Sequence, residues 1–334
     1  YFPAGHQKPG PIYQYGCSPA GDGHCGWRDH PAVLWLAIRT PCSRTRFPLC
    51  FYGYHGSLLF LHPVLCQGGM PCGDEGIVSD IHTEKGIVKA VFGWPAIHTR
   101  EPGKEETPNL KNIFLDCGCT SKDEVEKLGI HVGCVATFED EFTILNKKMF
   151  VGRALDNRIG GFMIAEVARM IKETKTKLPF GLYITNSVQE EVGLRGAEMI
   201  VQSIKPHMAI VTDVTHDTQT PMLSKITNGD LACGRGPVVT YGPAVHNTVL
   251  KMIIDAAQKN KIPFQRAAVS RATGTDTDAF AYAIGGVPSA LISLPLRYMH
   301  TTVESVNKQD VENVIKLIFE SLKCIKPNMN LKYF

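Results

Sequence analysis

The sequence lacks any apolar run near the roughly 20 residues that cross a bilayer; its longest candidates, Val33 to Ile38 and Ser57 to Leu61, are far shorter. No membrane association is expected. Charge of one sign is also scarce, with 35 basic against 32 acidic residues and a net charge of +3. With no basic block or Arg/Lys-rich helix, nucleic acid is not expected as a partner. Of the 11 cysteines no two form a CxxC pair, and the six in the first 72 residues fit none of the usual zinc-ligand spacings. They read as free thiols rather than a disulfide framework. The opening residues Tyr1-Phe2-Pro3-Ala4-Gly5 show no basic stretch leading into a long apolar one, so a signal peptide is not expected and a cytoplasmic location is.

Lysine is nearly missing from the first 80 residues, which hold only Lys8, four arginines and five acids, yet five histidines and two tryptophans. Little amphipathic pattern runs through this stretch. Its poverty in charge together with abundant Cys, Trp, His and Pro does not suit a disordered linker either. Residues 1–81 therefore read as an atypical N-terminal segment, nominally the first part of a catalytic domain.

Orderly signals begin at residue 81. Short strands are predicted at Gly86 to Phe92, Asn112 to Cys117, Thr137 to Leu145 and Lys148 to Val151. One short helix from Ser121 to Leu128 opens with a capping box, Ser121 with Glu124 three residues on. A small β-rich domain over 82–149 follows. From 150 to 334 helices and strands alternate. Ile164, Val167, Ala168 and Ile171 mark a helix from about Gly160 to Glu173. Strands are predicted at Phe180 to Thr185, Met208 to Thr212, Phe264 to Val269 and Ser289 to Leu294. Helices are predicted at Gly196 to Ile204, Val249 to Gln258, Thr277 to Ile284 and Asp310 to Cys324, the last burying Val311, Val314, Ile315, Ile318, Phe319 and Leu322. The alternation implies an α/β sheet covered on both faces.

Ligands of open α/β sheets bind at the carboxyl ends of the strands. Four such ends carry possible metal ligands: Asp156 before the helix from Gly160, Glu190 and Glu191 after the strand ending at Thr185, Asp213 closing the run from Met208, and His300 after the strand ending at Leu294. Singly each has a plain structural reading. Asp156 could cap a helix, Asp213 could begin a turn, His300 could be a satisfied polar residue, and the paired glutamates could be a solvated pair. Jointly they fall on one edge of one sheet, and carboxylate with imidazole suits zinc, cobalt or manganese. Adjacent Glu190 and Glu191 permit one carboxylate to bind metal while the other moves protons. A two-metal centre needs a bridging carboxylate, for which Asp156 is the candidate.

At these residues the chain resembles the M42 family of metallo-aminopeptidases, which includes the tetrahedral and glutamyl aminopeptidases. The matching stretches are Ala154-Leu155-Asp156-Asn157-Arg158, Gln189-Glu190-Glu191-Val192-Gly193-Leu194-Arg195-Gly196-Ala197 and Thr212-Asp213-Val214. Further on stand Gly234-Arg235-Gly236-Pro237, Gly274-Thr275-Asp276-Thr277-Asp278-Ala279 and Arg297-Tyr298-Met299-His300. The spacing also fits, with Asp213 22 residues after Glu191 and His300 87 after Asp213. The resemblance implies an α/β metallopeptidase catalytic domain with an inserted small β-rich domain that makes dimer contacts, and homo-oligomers from dimer to dodecamer. It implies two divalent metal ions per subunit, zinc first among them, and peptide substrates cut at the N-terminal residue. Asp156 would bridge the metals, Glu191 and His300 would hold one, Asp213 the other, and Glu190 would be the general base.

The family has a further metal ligand upstream, the His of His-x-Asp-Glu-x-Gly, and this chain has no such motif. Cys72-Gly73-Asp74-Glu75-Gly76 echoes it, with Cys72 in the place of the His; His55 and His62 lack the following Asp. The alternative reading is thus a catalytically impaired homologue, or a product frame-shifted upstream of Ile81, acting only in binding or assembly. A glycosidase is disfavoured, since Glu190 and Glu191 are sequence neighbours rather than a pair placed across a sugar.

Overall fold

The computed structural model describes residues 34–39, 78–93, 97–99, 113–138 and 141–332. His55, His62 and the stretch Cys72 to Gly76 lie outside them. The chain divides into two compact units, one of Tyr1–Thr40, Asn157–Leu296 and Val306–Phe334, the other of Pro41–Asp156 and Arg297–Ser305.

The first unit is built on parallel strands. β1 (Leu34–Arg39) lies between β8 (Leu182–Ser187) and β9 (Met208–His216), and β12 (Ser289–Arg297) pairs with β9 on its other side. β10 (Val238–Tyr241) joins β12 in antiparallel sense and pairs in parallel with β11 (Gln265–Ala268). The first seven residues of β9 and the first eight of β12 are buried, as expected of strands covered on both faces. Full burial of a Leu or Ile side chain here is worth about 1.5–3 kcal/mol.

Helices supply the cover. In α2 (Leu155–Glu173), Ile159, Met163, Ile164 and Val167 recur at three- and four-residue spacing and are all buried. α3 (Arg195–Ile204) and α6 (Asp276–Ala281) share a cluster of Ala197, Val201 and Phe280 with Ala209, Val211 and Leu291 of the sheet. Beyond the short α4 (Lys225–Asn228), α5 (Asn247–Lys259) packs on α7 (Lys308–Leu322). Asn307 caps α7 by accepting from the Gln309 and Asp310 amides. α7 leaves Ile315 half-buried and buries Leu317 instead, which the sequence reading did not name.

The second unit carries an antiparallel sheet of order β4-β3-β2-β5: β4 (Phe114–Asp116), β3 (Gly86–Gly93), β2 (Val78–Thr83) and β5 (Val135–Phe138). Its own core is Ile81, Ala90, Phe92, Ile130, Cys134, Ala136 and Phe138. β2 runs straight across residue 81, where the composition changes. The helix α1 (Lys122–Lys127) is capped by Ser121, whose Oγ accepts from the Glu124 amide. The reciprocal bond of the expected capping box goes one residue further back, to the Thr120 amide at 2.7 Å. These Thr120 bonds hold the Glu124 carboxyl below its ordinary range.

Where one strand was predicted from Thr137 to Leu145, two occur, β5 and β6 (Thr143–Leu145). β6 turns back as the antiparallel β7 (Met149–Gly152). Of the three residues between the paired Leu145 and Met149, Asn146 and Lys147 both take positive φ, 47° and 56°. Among the described residues no helix is long and apolar enough to cross a membrane.

Candidate metal centre

The acids and the histidine singled out in the sequence are held in different ways. Asp156 is buried in the first turn of α2 rather than ahead of the helix, because the helix begins five residues earlier than the apolar repeat suggests. The preceding Ala154 takes a φ of 55° where the chain turns from β7 into the helix. The next residue, Asn157, is buried too. Its Nδ2 donates to Asp213 Oδ1 at 2.9 Å and to the Thr212 carbonyl at 3.2 Å, and its Oδ1 accepts from the Gly160 amide.

Asp213 does not close its strand as expected; β9 continues to His216, and Asp213 stands opposite Ser293 of β12. Val214 and Thr215, both β-branched, favour that extension. Asp213 Oδ1 also accepts from the Val214 amide at 2.9 Å.

Glu190 and Glu191 sit in the turn between β8 and α3, Glu190 buried and Glu191 half-buried. This turn is tightly determined. The Glu190 carbonyl accepts from the amides of Gly193 and Leu194, both at 3.0 Å. Gln189 and Leu194 hold positive φ of 57° and 58°. Gly196 packs its α-carbon so closely on the turn that a Cβ there would meet Val188 N at 2.4 Å. At the end of β8, Ser187 Oγ donates to Asp276 Oδ2 of α6.

His300 lies in the turn after β12, with φ 60°, and Tyr298 two residues before it has φ 62°. β12 runs three residues past the expected end at Leu294, through Pro295, although proline cannot donate to a ladder. His300 Nε2 is 3.0 Å from Asp156 Oδ2. Both residues are also joined through a carboxylate to which the sequence analysis gave no role. Glu304, on β13 (Glu304–Asn307), accepts the Asp156 amide on Oε2 at 2.8 Å and the His300 amide on Oε1 at 2.9 Å. Burial, and then the charge of Asp156, push the Glu304 carboxyl up to about 8. Its signal in the sequence was a lone acid four residues past His300, between Val303 and Val306.

Among the described residues, Asp156, Glu191 and His300 form a group able to hold a metal ion, with one ligand atom of each within 4.8 Å of the others. Two carboxylate oxygens and an imidazole nitrogen, with Asp156 buried, are a donor set that zinc accepts. Asp213 is not in this group.

The family model described as M42 glutamyl aminopeptidase matches residues 75–317. The chain belongs to that family. Lysyl aminopeptidase of Pyrococcus furiosus is 35% identical over 247 residues, which are 73% of this chain and 69% of that relative. Among solved structures, the TET aminopeptidase of Thaumarchaeota archaeon SCGC AB-539-E09 superposes with a TM-score of 0.76 at 26% identity, covering 89% of this chain and 82% of that one. The dodecameric PhTET1-12s gives 0.69 at 25% identity, covering 87% and 82%. This M42 chain is therefore a peptidase hydrolase of mixed α/β fold. The family match begins at residue 75, close to where the composition becomes ordinary.

Proposed function

We propose that this chain is a two-metal aminopeptidase that removes N-terminal residues from peptides. The observation that carries this is the meeting of Asp156, Glu191 and His300 at ligand distance within an M42 chain. In this reading Asp156, Glu191, Asp213 and His300 hold two divalent ions, zinc by preference and cobalt or manganese as substitutes. When bound, the metals supply Lewis-acid polarisation of the scissile carbonyl and acidify water near neutral pH. Glu190 takes the proton from the attacking water on its carboxylate and returns it to the leaving amine. Asn157 fixes Asp213 by its 2.9 Å hydrogen bond, and the closed 188–194 turn fixes Glu190 relative to Glu191.

Residues 82–149 serve as an inserted domain for dimer contacts. The chain works as a cytoplasmic homo-oligomer, up to the dodecamer seen for PhTET1-12s. Zinc analysis of the desalted protein, with a panel of aminoacyl chromogenic substrates assayed with and without added zinc or cobalt, tests the reading. Two metals per chain and metal-dependent release of the chromophore are expected; metal-independent turnover, or none with both metals bound, refutes it. A second reading, a catalytically impaired or frame-shifted homologue confined to binding or assembly, rests on the missing His-x-Asp-Glu-x-Gly motif. It requires one zinc per chain or fewer.

A further inference from the structure

We infer that Glu304 is a positioning residue for the metal centre, a backbone clamp that sets the separation of Asp156 and His300 and thereby the affinity for the metal. The inference rests on the proposed ligand set and extends it to a residue that makes no metal contact of its own.

Glu304 bonds through both of its carboxyl oxygens. Each of its two oxygens accepts one backbone amide, and those amides belong to Asp156 and His300, residues 144 positions apart in the chain. The side chains of the same two residues meet again, His300 Nε2 lying 3.0 Å from Asp156 Oδ2. Two bridges therefore join the pair, one through the backbone by way of Glu304 and one through the side chains. With both carboxylate oxygens engaged, the carboxyl plane cannot rotate without breaking a bond, so the two amides are held at one spacing.

His300 needs such a hold. A non-glycine residue at φ 60° persists only where its surroundings over-determine it. Restraints on its turn include the Glu304 bond to its own amide and the Thr301 bonds to the Tyr298 and Val303 carbonyls. Burying a carboxylate at 2% exposure beside a second carboxylate is unfavourable for the fold by itself. A cation held by Asp156 and His300 would offset that cost. Partners that orient metal ligands in this way typically change metal affinity by about 10–100-fold when removed.

The chain contains its own control. Asp310 is likewise a fully buried carboxylate accepting two backbone amides, those of Gly234 at 2.5 Å and Gly236 at 2.7 Å, but neither belongs to a proposed ligand. Glutamine and asparagine keep size but offer a single acceptor oxygen, so Glu304→Gln and Asp310→Asn each sacrifice one of two amide bonds. Glu304→Asp keeps the charge but is one methylene too short to span both amides.

Zinc affinity of the full chain, measured by competition with a chromogenic chelator, and apo-protein melting temperature decide the matter. Glu304→Gln and Glu304→Asp should each weaken zinc about 10–100-fold, and shift the absorption spectrum of the cobalt-loaded protein. Asp310→Asn should lower the melting temperature while leaving zinc affinity and the cobalt spectrum unchanged. Two results overturn the clamp alone: wild-type zinc affinity in both Glu304 variants while His300→Ala loses zinc, or Asp310→Asn weakening zinc as much as Glu304→Gln does. Wild-type zinc affinity in His300→Ala overturns the ligand set, and the clamp with it.

Discussion

Glu304 and Asp310 stand six residues apart and are chemically alike: buried acids, each receiving two backbone amides. Their histidine counterparts differ in the same sense. His300 is half-buried with its ring against Asp156, whereas His246 is buried where α5 begins, its amide donating to the Ser289 carbonyl. Burial and hydrogen bonding thus do not separate residues proposed to serve chemistry from residues that serve the fold. What separates them is the identity of the groups they hold.

The sharpest break between the two roles is expected at Glu190. Glu190→Gln keeps size and turn geometry, so metal content and melting temperature should stay close to wild type. Peptide hydrolysis should fall by the ~10²–10⁴-fold typical of a lost general base. Wild-type turnover in the zinc-loaded variant would falsify the assignment. Next in size is the loss of metal. His300→Ala and Asp213→Ala should each reduce zinc per chain after desalting, while His216→Ala, at the exposed end of β9, should not. A zinc-free His216→Ala beside a zinc-loaded His300→Ala would reverse the comparison.

On the scaffold side, Asp310→Asn should cost about 1–3 kcal/mol in chemical denaturation, the cost of leaving a buried amide unsatisfied. An unfolding midpoint equal to wild type would remove Asp310 from the fold's supports. The smallest effect is a pH dependence. Burial holds His246 below its ordinary value, so protonation is harder in the folded chain than in the unfolded one. Its contribution is therefore present above about pH 6.5, the unfolded value, and is lost as pH falls through the lower folded value. Denaturation at pH 7 and pH 5 should show a flatter slope for His246→Gln than for wild type; an identical slope excludes the histidine as the cause.

Much of the fold was legible where side chains repeat. The α2 stripe and the apolar runs of β9 and β12 follow directly from periodicity, and Ser121 with Glu124 marked α1. β10 and β13 were not foreseen. Each is only four residues long, too short for a pattern, and is defined by its neighbours in a sheet. The expected ends of β9 and β12, Thr212 and Leu294, fall too early: the apolar runs stop there, while tertiary pairing carries both strands on. In the site, residue types and motif order singled out the acids and His300, and Asp156, Glu191 and His300 are the ones that meet at ligand distance. Glu304 and Asn157 stayed without roles because they act through amides and carboxylates distant in sequence, at separations of 148 and 56 residues.

Gly196 extends this beyond any single substitution. A side chain there would strike the backbone of Val188, and the turn it supports carries both Glu190 and Glu191. No alanine, the smallest step available to mutation, can be accommodated unless that backbone moves. The turn has no gradual route to a looser form, so descendants of this sequence can change the outward side chains of 188–194 while the path of the main chain stays inherited.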